Sequence, residues 1–80
     1  MRIDLFLKKI LIFKKRNEAK MMCNKELIKV NGRISKPSRN VRKGDVIEIE
    51  TFHGLVKLKV LEIPAGNVKK SEADLYYERL

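Results

Sequence analysis

The chain has 80 residues, 19 Lys/Arg against 10 Asp/Glu, one cysteine and one histidine, which bounds it to a single domain with a small core and no deep catalytic pocket. Cys23 alone cannot build a disulfide framework or a cysteine-based zinc site within one chain, and His53 alone gives histidine catalysis or metal binding little material. Residues 1–45 carry 14 Lys/Arg and 4 Asp/Glu, a net +10, whereas residues 46–80 carry 5 and 6, a net −1, so the charge forms one basic face suited either to nucleic-acid phosphates or simply to solvent.

Ile3, Phe6, Leu7 and Ile10 fall on one face of a short helix. Asp4 stands in its first turn, where a carboxylate suits the helix dipole, and can pair with Lys8 at i, i+4. The opening MRIDLFLKKILIF has the outline of a signal peptide, but Asp4, Lys8 and Lys9 interrupt its apolar part, so export is not expected. The longest apolar runs are four residues, against about 20 for a membrane span. A cytoplasmic chain with no membrane contact is therefore expected.

A second helix is predicted over about 17–25, with Asn17 as a possible N-cap and Ala19, Met22 and Cys23 on its buried side. Cys23 reads as a small core residue rather than a nucleophile. Between the helices, Lys14-Lys15-Arg16 places three cations in a row. Where two helices meet, such a run is held on a compact element.

Beyond Lys25 the period shortens to that of strands. Ile28-Lys29-Val30 alternates, and Asn31-Gly32 predicts a hairpin turn of type I′, with Arg33-Ile34 beginning the return. Lys36-Pro37-Ser38-Arg39 reads as a loop, because Pro37 has no N–H for a ladder. Lys43-Gly44-Asp45 turns into a strand over Val46–Glu50. His53-Gly54 turns into another over Leu55–Glu62, leaving His53 exposed. Ser71-Glu72-Ala73-Asp74 resembles a helix cap with its acid. Ala73, Tyr76, Tyr77 and Leu80 then predict a C-terminal helix over about 71–80. Its tyrosines could stack on bases, though their spacing favours packing on the sheet.

Taken together, Arg2-Ile3-Asp4, Phe6-Leu7, Lys14-Lys15-Arg16 with Ala19 and Lys20, Val30-Asn31-Gly32, Lys36-Pro37-Ser38 and Gly44-Asp45 resemble the RNA-binding domain first seen in ribosomal protein S4. The tail from Ser71 to Glu78 is similar to that of its small stand-alone members, the fifteen-kilodalton heat-shock type and the type serving bacterial ribosome-associated quality control. The resemblance spans nearly the whole chain. It implies an α+β fold: an N-terminal helix pair (the alpha-L motif) on a small, twisted, mostly antiparallel sheet, with a C-terminal helix, as one domain over 1–80 whose RNA surface is mainly 1–45.

The same resemblance implies a non-enzymatic protein without cofactors. Such members bind ribosomal RNA of the large subunit and peptidyl-tRNA after a stalled ribosome has split, and support C-terminal tailing of the nascent chain by a partner protein. The chain is expected to be a monomer. Carried over by position, Arg2 and Arg16 are the first RNA ligands, followed by Lys14, Lys15, Lys20, Lys36 and Arg39. Arginine's planar fork meets two phosphate oxygens, and structured RNA is read mainly by shape and backbone, so a rigid cationic corner suffices. Asp4 is expected to orient a nearby cation and not to touch RNA.

Four positions depart from the family pattern. Ile10 and Leu11 stand where an arginine is common, Glu26 stands where a glycine usually ends the second helix, and Leu27 replaces the basic residue after it. The alternative reading is an RNA-binding factor for ribosome assembly or another structured RNA. A DNA-binding helix-turn-helix protein fits less well, because the second helix is short and a hairpin follows at once.

Overall fold

In the computed structural model, which describes all 80 residues, Ile3, Phe6, Leu7 and Ile10 are all buried along the first helix, α1 (Ile3–Lys9), and its C-cap. A second helix, α2 (Arg16–Asn24), buries Ala19 and Cys23. Five strands follow: β1 (Ile28–Val30), β2 (Arg33–Ile34), β3 (Val46–Thr51), β4 (Gly54–Val60) and β5 (Tyr77–Arg79). They form one antiparallel sheet in the order β2-β1-β3-β4-β5. Ile28, Val30, Ile47, Ile49, Leu58 and Val60 share one face of this sheet and join the buried helix residues in a single core. Across the opposite face Lys29, Glu48 and Lys57 stand in register, an alternation of charge that keeps it wetted.

Both helices end in the same way. Leu11 N–H donates to the Lys8 carbonyl and Ile12 N–H to Leu7; Glu26 N–H donates to Cys23 and Leu27 N–H to Met22. These are paired Schellman closures, which place the residue after the C-cap in the left-handed region. Leu11 has φ 65° and Glu26 φ 61°, so neither position uses the glycine that such a closure favours. The departure at Glu26 therefore leaves the helix end in the geometry a glycine would adopt, at a cost in backbone strain.

The second helix begins at Arg16, one residue before the expected start, and Asn17 is not its cap. Glu18 is the reason: its carboxylate accepts from Lys15 N–H at 3.2 Å, and Glu18 N–H donates to the Lys15 carbonyl, fixing the helix entry at Lys15. The Asn31-Gly32 turn forms as expected, with φ 52° and 83°. Asn31 also accepts from Val46 N–H and donates to Asp45, tying the first hairpin to the start of β3.

The C-terminal helix is present, and its extent and type are the principal correction. A 3₁₀ helix spans Lys70–Leu75, and the chain then extends into β5 beside β4. The cap is Lys69, whose N–H donates to Glu72, and not Ser71. A ten-residue helix is marginal on its own. Here the open edge of β4 offers backbone partners: Leu80 N–H donates to Lys57 and Leu61 N–H to Tyr76. Sheet pairing therefore overrides the helical spacing of the tyrosines. Both are half-buried against the core.

Candidate nucleic-acid interface

Asp4 is fully buried, a charged side chain among the buried Ile3, Phe6 and Leu7 of the same helix. A lone buried carboxylate costs several kcal/mol of lost hydration, and its partners offset that cost. Oδ2 meets Nη2 of Arg2 at 3.2 Å, Oδ1 meets Nε of Arg16 at 3.4 Å, and Oδ1 also accepts from Leu5 N–H at 2.8 Å. The expected pairing of Asp4 with Lys8 does not form. Arg16 arrives from another helix and displaces that local option, so the orienting role expected of Asp4 holds with different partners.

The two arginine side chains are each 43% exposed. Arg16 reaches Asp4 through Nε, which leaves both Nη groups without a protein partner. Arg2 uses one Nη. Each guanidinium is thus anchored on one edge and open on the other, an arrangement suited to phosphate.

The loop bearing Lys36 and Arg39 lies directly against the N-terminus. Ile3 N–H donates to the Arg39 carbonyl at 2.8 Å, Asp4 N–H to Pro37 at 3.3 Å, and Val41 N–H to Met1 at 2.8 Å. Arg2 and Asn40 form a β-bridge. Arg2, Arg16 and the Lys36–Arg39 loop therefore gather around Asp4, while Lys14 and Lys15 flank Arg16 on the connection from α1. Lys20 stands one turn along α2 from Arg16, on the same side. All seven cations are exposed. Asn40, which fixes the loop against Arg2, has no signal in the sequence, because a lone bridge carries no periodicity.

Two further cations are occupied elsewhere. Lys9 donates to the Gly66 carbonyl at 2.9 Å, and Lys43 pairs with Glu62 at 2.8 Å. Cys23 lies in the core behind the arginine corner, and burial first, then the charge of Asp4, pushes its thiol up to about 11. It stays protonated and inert at neutral pH. No group of three or more His, Cys, Asp or Glu residues is placed to hold a metal ion, and no helix is long and apolar enough to cross a membrane.

Comparison with known proteins places these residues in context. The family model described as S4 domain matches residues 1–47, the segment that holds all seven cations. The RQC P-site tRNA stabilizing factor of Helicobacter pylori strain J99 is 39% identical over 77 residues, covering 95% of this chain and 92% of the relative. The factor of the same name from Bacillus subtilis is 33% identical over 76 residues, covering 95% and 88%. Among solved structures, trimeric Vibrio cholerae heat shock protein 15 superposes with a TM-score of 0.92 at 25% identity, covering all of this chain and 81% of that one. The solution structure of a hypothetical protein superposes with a TM-score of 0.86 at 36% identity, covering 100% and 96%.

Proposed function

The chain belongs to the S4 domain family and groups with the RQC P-site tRNA stabilizing factors, and from that membership we propose that it binds the large ribosomal subunit and its peptidyl-tRNA during ribosome-associated quality control. Its work is to hold RNA, not to transform it. Arg2 and Arg16, braced by Asp4, are the principal ligands; Lys14, Lys15, Lys20, Lys36 and Arg39 extend the field around them. The observation that carries this reading is the double anchoring of Asp4. It fixes two half-exposed guanidinium groups before RNA arrives, so little side-chain freedom is lost on binding.

The remainder of the chain is a scaffold. The sheet buries one face under the helices and sets the Lys36–Arg39 loop beside Arg2. A monomer acting beside a protein that performs C-terminal tailing fits this division. Binding is governed by phosphate contacts, and affinity falls as salt rises.

Sedimentation of the tagged chain through a sucrose gradient tests the proposal. Co-migration with free large subunits that carry tRNA supports it. Co-migration with immature particles alone favours the assembly reading, and absence from both contradicts ribosomal binding.

A further inference from the structure

Phe52, at the tip of the β3–β4 hairpin, is fully exposed. It overhangs two adjoining hollows of about 470 and 660 Å³, which share Leu27, Glu50, Thr51 and Phe52 as walls. Phe13 and Met22 extend the apolar lining on the helix side, and Leu55, itself 59% exposed, on the sheet side. An aromatic ring and a leucine left in water beside a concave surface mark a contact surface more than a solvated loop.

The charge of the hollow is opposite to that of the arginine corner. Glu26, Glu48 and Glu50 line it, against Lys25 and Lys29. None of the three carboxylates forms an ion pair, in a chain with 19 Lys/Arg to choose from. Lys29 stands opposite Glu48 in the register and Lys25 lines the same hollow, so Glu26 and Glu50 leave it one negative charge in excess. Such a rim favours phosphate less than the arginine corner does. A lysine or arginine beside an apolar side chain is attracted to the rim.

We infer that this hollow docks a basic protein segment that inserts an apolar side chain against Phe52, Leu27 and Leu55. RNA and the protein partner then occupy different surfaces: the partner takes the hollow and the RNA takes the corner around Asp4. Phe52 is the anchor of the contact, and Glu26 and Glu50 set the sign of the partner.

Heteronuclear NMR of the isotopically labelled chain tests this inference. The probes are a short synthetic peptide carrying leucines between lysines, the same peptide with glutamates for lysines, and an RNA hairpin. The lysine peptide is expected to give saturable shifts at Leu27, Thr51, Phe52 and Leu55, and the glutamate peptide none. Phe52→Ser and, independently, Glu50→Lys each lower the affinity for the lysine peptide about tenfold or more. Both positions are exposed, and an unchanged spectrum away from the hairpin verifies the fold. RNA binding by Phe52→Ser stays at the level of the parent chain, which separates this inference from the RNA reading. It is overturned if the lysine peptide leaves the hollow unperturbed, if the glutamate peptide acts equally, or if the RNA hairpin shifts Phe52. Shifts at the hollow that grow with protein concentration alone also overturn it, in favour of a second copy as the occupant.

Discussion

Nε of Arg16 lies 3.4 Å from Oδ1 of Asp4, a carboxylate on another helix with no exposure to solvent. The contact joins α1 to α2 and aims the remainder of the guanidinium outward. It gives Asp4→Asn two opposed expectations. By charge counting alone, a more positive chain should bind RNA more tightly. By orientation, Arg2 and Arg16 lose their common anchor and affinity falls. The second outcome is expected, in equilibrium binding to an RNA hairpin. Asparagine keeps an acceptor for Leu5 N–H but removes the charge. Because both arginines are partly solvated, the fold should lose about 1–3 kcal/mol in urea unfolding, less than for a fully buried pair.

Cys23 provides a pH test of the same neighbourhood. Its thiol is raised from about 9.0 to about 11 by burial and by Asp4. Above pH 9 the unfolded chain therefore gives up a proton that the folded chain retains. The contribution to stability is complete below pH 9 and is lost as pH rises toward 11. Urea unfolding of the parent chain should weaken more steeply across that window than unfolding of Cys23→Ala. In Asp4→Asn, alkylation of Cys23 by iodoacetamide should begin at lower pH.

Glu26 holds a left-handed backbone with φ 61°. Such a conformation costs a side-chain-bearing residue about 1–2 kcal/mol, part of which glycine returns through its freer unfolded state. Glu26→Gly should stabilise the domain by about 0.5–1 kcal/mol, raising its melting temperature by several degrees. Leu11→Gly, at the equivalent position of the first helix, should act in the same direction. Thermal unfolding followed by circular dichroism measures both.

Local pattern carried the helix pair, the Asn31-Gly32 hairpin and the two long strands, because each is a matter of period or of turn chemistry within a few residues. The α2 entry differs from the expected one because Glu18 reaches back to Lys15, an option equal in kind to the Asn17 cap. The end of the tail departs from the helical spacing of Tyr76, Tyr77 and Leu80 because the edge of β4, remote in sequence, pairs with Tyr77–Arg79. At the interface, residue types and the family resemblance selected the seven cations. Which cation faces Asp4 depends on how the helices pack, and so local spacing favoured Lys8 over Arg16. The exposure of Phe52 left no trace, since one aromatic residue in a turn has no period.

On the proposed function, the braced arginine corner holds RNA. The most direct test is the affinity of Arg16→Ala for large subunits carrying P-site tRNA, measured across a range of salt. Arg2 still pairs with Asp4 in this variant, so the domain should remain folded, with an unchanged circular dichroism spectrum. Binding is expected to weaken, and a plot of log affinity against log salt to become shallower by about one unit of slope. An unchanged affinity and slope in the folded variant would contradict that role of the corner.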